Sequence, residues 1–305
     1  MSGEVRYGTA GWSFADWYGP FYPRPAEEAG PGPLFSGQPA RAPDPDVGLA
    51  KRDPLRFYAR YFDAVEVNSS FYRVPSADTV ARWARTTAHV GPRPFLFSFK
   101  VPQSATHAGD LGELDAFRAA LEPVTQAERL AAVLLQFPHG FAATREHRAR
   151  VRAIAERLGD LSPVVELRHR SWGEGATAAD LRALGCAWAW IDQPQRHDTL
   201  APEVPLTSAA LGYVRLHGRN AAAWWNPQAG RDQRFDYLYT PDEVRDWARK
   251  VDALAGLTQK TVVIANNHYR GQAPANALEL RRLHGEAAPA PAALEQAFPR
   301  LASPR

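Results

Sequence analysis

The chain has 305 residues, 45% hydrophobic, 23% charged and 11% aromatic, an ordinary globular composition. Its formal net charge is only +3 although the pI is about 9.1, so whole-chain charge argues little for nucleic acid and any basic patch has to be local. A single cysteine, Cys186, excludes a disulfide framework and a cysteine-built metal site. The start, MSGEVRYG, lacks a signal-peptide core and no apolar run reaches the ~18 residues of a membrane span, so a cytoplasmic protein with no membrane partner is expected.

In chain order, Val5–Gly8 reads as a first strand. Thr9-Ala10-Gly11-Trp12-Ser13 then turns, and Trp17, Tyr18, Phe21 and Tyr22 follow in a stretch that fits no regular helix; these rings either line a pocket wall or cover a mouth. Arg24–Asp53 is rich in Pro, Gly and Ala without periodicity and is expected to be a long, mobile surface loop inserted after strand one. Pro54–Phe62 has helical spacing, Ala64–Asn68 (AVEVN) is a second strand, and Ser76–His89 is a helix with Ser76 as its cap. Phe95–Lys100 and Ala132–Phe137 are strands three and four, with helices over Leu111–Arg129 and Thr144–Leu158.

Strand five, in Pro163–Trp172 (PVVELRHRSW), changes from apolar to densely charged at its end, as the C-terminal tip of a buried parallel strand does when it carries a site. A structural Glu–Arg pair inside a barrel would look the same. A helix over Thr177–Leu184 leads to strand six, Ala187–Asp192; strand seven is Gly212–His217, and Thr240–Leu254 is a helix capped by Thr240 with Pro241 at its first position. Strand eight is Thr261–Asn267, the last helix Ala273–His284, and the Ala/Pro-rich tail after Gly285 is expected to fray. Eight strands alternating with helices predict an α/β protein, a TIM-type (β/α)8 barrel in a single domain over residues 1–285, with residues 286–305 as tail. No glycine-rich dinucleotide fingerprint supports the rival doubly wound sheet.

Seven segments carry a resemblance: GTAGWSFADWYGPFYP, FDAVEVNSSFYRVP, FSFKVPQSATH, LLQFP, ELRHRSW, YVRLHG and VVIANNHYRGQAPANA, in this order. Together they resemble the DUF72, or YecE-like, family over roughly residues 5–284. The resemblance implies a TIM-type barrel and, by fold similarity, a relation to sugar isomerases. The insertion at 24–53 departs from the family pattern.

Sites in such barrels form at the C-terminal strand tips. Period-2 alternation puts Glu66 with Asn68, Glu166 with Arg168, and Arg215 with His217 on shared faces. With Lys100, Gln136, His169, Asp192, Asn267 and His268 these form a polar ring, where a structural interior would prefer Val, Ile and Leu. Three chemistries are open. Glu66, Glu166, Asp192 and His217 are ligand types for a divalent metal such as Mg²⁺, Mn²⁺ or Zn²⁺, although Arg168, Arg215 and Lys100 oppose a cation and would pair with the carboxylates instead. Metal-free acid/base work would use Lys100 or a carboxylate with His217 or His169, and Lys100 is also a Schiff-base candidate. Anion binding would use Gly218-Arg219-Asn220 and Arg270-Gly271-Gln272. Trp12, Phe71, Tyr72, Trp172, Trp224 and Trp225 add flat rings suited to sugars or nucleobases.

The expectation is an enzyme isomerising or epimerising a sugar or phosphosugar, the reaction type resting on the fold analogy. Glu66, Lys100, Glu166 and His217 are the candidate catalytic residues. Trp12, Asn68, Phe71, Arg168, His169, Trp172, Asp192, Arg215, Arg219, Asn267 and His268 are the candidate ligand contacts. A nucleic-acid binder or nuclease with an Arg- and Trp-lined mouth is the alternative, and a non-catalytic ligand sensor a further one.

Overall fold

The computed structural model describes residues 3–24 and 45–302. Nine parallel strands lie in one sheet: β1 Glu4–Ala10, β2 Ala64–Val67, β3 Leu96–Lys100, β4 Leu130–Gln136, β5 Pro163–Glu166, β6 Ala187–Trp188, β7 Trp190–Asp192, β8 Leu211–Leu216 and β9 Lys260–Ala265. Their spatial order is β6-β5-β4-β3-β2-β1-β9-β8-β7. β6 and β7 are two halves of the expected sixth strand, parted at Ala189. One half pairs with β5 and the other with β8, so the break falls where the ring comes together into a TIM-type barrel.

The alternation of each strand divides the apolar residues into two sets. Ala10, Ala64, Leu96, Ala132, Leu134, Val164, Ala187, Ala189, Tyr213, Val262 and Ile264 belong to a cluster that contains no helix residue and fills the barrel. Several of them are alanines, which leaves interior volume for the large side chains of Tyr213 and Arg215. Val65, Val67, Phe97, Phe99, Val133, Leu135 and Val165 face the helices instead.

The principal helices are α1 Pro45–Arg52, α2 Pro54–Tyr58, α3 Ala77–Thr86, α4 Leu114–Gln126, α5 Arg145–Leu158 and α6 Thr177–Ala183. After β8 come two short helices, α7 Ala221–Trp224 and α8 Arg231–Arg234, then α9 Pro241–Ala255, α10 Gln272–Leu283 and α11 Ala292–Ala297. Caps set the starts: Ser76 accepts from Thr79 N at 3.2 Å, and Thr240 and Glu243 form a capping box ahead of α9.

Two expectations are corrected. Of the 24–53 loop, residues 25–44 lie outside the described residues, but 45–52 form α1, which starts at a proline and has Lys51 and Arg52 in its last turn. The tail does not fray through 302. Leu294 and Leu301 are buried and Arg300 pairs with Glu279 of α10, so sparse leucines anchor a segment whose Ala/Pro content reads as loose. Trp17, Phe21 and Tyr22 are fully buried against Phe57 and Tyr58 of α2 and belong to the core. No helix among the described residues is long and apolar enough to cross a membrane.

Candidate functional site

Parity decides which tip residues meet. Ala64 faces inward, so Glu66 does; Ser98 and Lys100 follow Leu96, and Glu166 and Arg168 follow Val164. Arg215 and His217 follow Tyr213, and Asn266 follows Ile264. The inward tips open on a cavity of about 520 Å³ whose lining includes Trp12, Phe14, Asn68, Lys100, Gln136, Arg168, Arg215, Arg231, Phe235, Asn266 and His268.

A buried ion network forms its floor. Arg215 donates from Nε to Glu66 Oε2 at 2.9 Å and from Nη2 to Glu66 Oε1 at 2.6 Å, while its Nη1 donates to Glu166 Oε2. Arg168 donates to Glu166 Oε1 from Nε at 2.8 Å and from Nη2 at 2.6 Å. Tyr213 donates its hydroxyl to Glu66 Oε2 at 3.0 Å. Burial alone pushes the Glu166 carboxyl up, but Arg215 and Arg168 outweigh it and hold it well below the ordinary value. Both carboxylates are thus hydrogen-bonded partners of guanidinium, and the two guanidiniums are fixed in place.

Lys100 is the exception in this network. Among the described residues no carboxylate is within ion-pair distance of its amine, which lies 3.8 Å from the centre of the Phe71 ring. Burial lowers its pKa to about 7; Arg215 and Arg168 act in the same direction, and Glu66 and Glu166 oppose them.

Two histidines complete the cup. His217 is fully buried; its Nδ1 lies 2.8 Å from Asn266 Nδ2, and its Nε2 lies 3.4 Å from Arg168 Nη2 and 3.6 Å from Glu166 Oε1. Burial lowers its pKa to about 3, against the pull of Glu166, so the ring is neutral. His268 is stacked on Phe14 at 4.5 Å, lies 5.1 Å from Phe235, and has a buried Nδ1 with no hydrogen-bond partner among the described residues. Burial lowers its pKa to about 4.

Other expected residues sit elsewhere. Asp192 pairs in register with Leu216 rather than Arg215, so it turns outward, where Arg219 Nε donates to it at 2.8 Å. Arg219 also donates to Glu243 of α9 at 2.9 Å. The expected phosphate cradle is not assembled, because Arg219 is committed to these carboxylates, Asn220 caps α7, and Arg270 is exposed over Tyr269. Asn267 faces out as well, donating to Tyr237 O and Asn276 Oδ1, both at 2.8 Å. Trp172 is buried with its Nε1 donating to Phe141 O at 2.6 Å, and His169 Nδ1 accepts from Ser171 N at 3.2 Å; neither lines the cavity.

Trp224 lies 5.8 Å from the His217 ring and 5.6 Å from the Arg168 guanidinium, beside the cup. Counting in steps of two from Ile264 would have selected Asn266 over Asn267. Nothing in the spacing points to Arg231 or Phe235, which arrive from the segment after β8.

The donor set does not fit a metal. The oxygens of Glu66 and Glu166 are taken by guanidinium, Asp192 is on the other face, and among the described residues no group of three or more His, Cys, Asp or Glu could hold an ion.

Residues 41–301 match the sequence pattern of the family described as protein of unknown function DUF72. The chain is 30% identical over 251 residues to UPF0759 protein YunF of Bacillus subtilis, covering 77% of this chain and 87% of that protein. Over 119 residues it is 32% identical to UPF0759 protein YecE of Escherichia coli (strain K12), covering 38% of this chain and 41% of that protein. It superposes on the crystal structure of a DUF72 family protein from Thermotoga maritima with a TM-score of 0.75 and 28% identity, over 93% of this chain and 100% of that one.

Proposed function

The chain belongs to the DUF72 family, and on that premise we propose that its barrel mouth binds a small anionic carbonyl compound, a sugar or phosphosugar, and isomerises or epimerises it by metal-free proton transfer. The observation that carries this reading is Lys100. It is a mouth amine without a carboxylate partner, held near neutrality, beside two guanidiniums that are locked by Glu66 and Glu166. A group that titrates near the working pH is suited to take and return a proton. Arg168 and Arg215 line the same cavity and would stabilise the oxyanion that develops when the proton leaves the neighbouring carbon. Glu66 and Glu166 would be positioning residues, holding the guanidiniums. Trp12 and Phe14 would give a sugar ring an apolar face, and Asn68 Oδ1, buried without a partner among the described residues, would accept from a hydroxyl.

The test is deuterium uptake from D2O into short aldose and ketose phosphates, followed by NMR with wild type and Lys100→Met. The reading requires uptake at the carbon beside the carbonyl with wild type alone. Equal uptake with both proteins sinks it; tight binding without uptake favours a ligand sensor.

A nucleic-acid partner is the second reading, favoured by Tyr72, which is 73% exposed at the edge of a cavity that also holds Arg231. Filter binding of single-stranded DNA with a steep salt dependence would support it, and no binding at low salt would remove it.

A further inference from the structure

Only four of the 36 Lys and Arg residues are lysines: Lys51, Lys100, Lys250 and Lys260. Arginine holds a phosphate or carboxylate at least as well as lysine and, unlike it, stays charged. A lysine at the tip of β3, where both neighbouring mouth cations are arginine, is therefore a chemical choice that charge alone does not explain. What lysine adds is a nucleophilic amine. The surroundings agree. Lys250 is held by Glu203 at 2.8 Å and Asp246 at 3.2 Å, whereas Lys100 has no such partner and lies against the Phe71 face on the wall of the cavity.

We propose that Lys100 forms an imine with the carbonyl carbon of a small phosphorylated aldehyde or ketone bound in the cup. This rests on the reading above that the cup takes an anionic carbonyl compound, and it makes the Lys100 nitrogen the nucleophile at the carbonyl carbon in place of the base. The amine lone pair attacks the carbonyl carbon, a C–N bond forms, and the C=O π pair moves to oxygen, which is protonated. The carbinolamine then expels that oxygen as water while nitrogen closes the C=N bond. The two amine hydrogens and the carbonyl oxygen leave as water, and nothing is oxidised or reduced. Arg168 and Arg215 stabilise the transient oxyanion. Burial supports the step by leaving much of the amine unprotonated at neutral pH.

The test uses the full chain, glycolaldehyde phosphate or dihydroxyacetone phosphate as probe, and cyanoborohydride at pH 7, with adducts located by peptide mass spectrometry. Lys51, Lys250 and Lys260 are internal controls. The expected result is an adduct on Lys100 at least about tenfold faster than on exposed Lys51. Lys100→Arg, which retains the cation, should lose the fast adduct. Equal labelling of the four lysines, or labelling of Lys51 without Lys100, overturns the proposal. Deuterium uptake by the probe is followed in parallel. Uptake without a Lys100 adduct overturns the imine and leaves the proton-transfer reading standing; an adduct without uptake upholds the imine and overturns that reading.

Discussion

Arg215 and Glu66 meet side by side inside the barrel, β8 against β2, with two parallel N–H···O bonds at 2.9 and 2.6 Å. Neither side chain reaches bulk water, Arg215 being 2% exposed and Glu66 fully buried. Removing Glu66 strips buried Arg215 of two of its three carboxylate bonds, and removing Arg215 leaves Glu66 buried against the Tyr213 hydroxyl. Glu66→Ala should therefore cost about 3–5 kcal/mol, read by urea denaturation. Combining it with Arg215→Met should cost clearly less than the two single effects added together.

The histidines make stability fall with acid. The folded-state pKa of His217 is lowered to about 3 and that of His268 to about 4, against about 6.5 unfolded. Over those windows the unfolded chain binds more protons, so stability is lost as pH drops from about 6.5. Glu166, held below its ordinary 4.5, adds its own loss at lower pH. Tm should decline below about pH 6.5, and His217→Gln should flatten the upper part of that decline.

Lys100 has the same sign at higher pH. Its folded pKa is about 7 and its unfolded value about 10.4, so stability falls as pH drops through that interval. Lys100→Met removes the term, and the variant should be more stable than wild type at pH 7 by about 1–3 kcal/mol, with the gap closing toward pH 10. Differential scanning calorimetry at the two pH values checks this.

The C-terminal segment is part of the fold. Leu294 is fully buried, and Glu286 pairs with Arg93 at 2.7 Å and Arg281 at 2.8 Å. Leu294→Ala should cost about 2–4 kcal/mol, measured by chemical denaturation, and a chain ending at Gly285 should melt at a lower temperature.

A divalent metal should not stabilise the protein. Millimolar Mg²⁺, Mn²⁺ or Zn²⁺ should leave Tm unchanged, while inorganic phosphate should raise it through the cations of the cup. Thermal scanning with each ion, with Lys100→Met and Arg168→Ala alongside wild type, measures both effects.

The barrel was legible because its strands are short apolar runs separated by helices with clear caps. Much of the cup was legible for the same reason: Glu66, Lys100, Glu166, Arg168, Arg215 and His217 lie at alternating positions on strands whose apolar partners mark the inward face. Asp192 and Asn267 show the limit. Each is one residue off the inward parity, and a one-residue step turns a side chain to the opposite face. Arg231, Phe235 and Phe14 were not legible, since they reach the cavity from segments without a period. α1 and the docked tail were hidden by Pro, Ala and Gly content, which describes propensity and omits the few leucines and ion pairs that tie those segments down.

The proton-transfer reading requires a Lys100 amine whose pKa is lowered to about 7. With four lysines in the chain, protein labelled with ¹³C at lysine Cε allows each side chain to be titrated by NMR. One resonance, missing from Lys100→Met, should titrate near pH 7 while the other three titrate near about 10.4. If all four titrate together near the ordinary value, the amine carries a full charge at neutral pH and the proton-transfer reading fails.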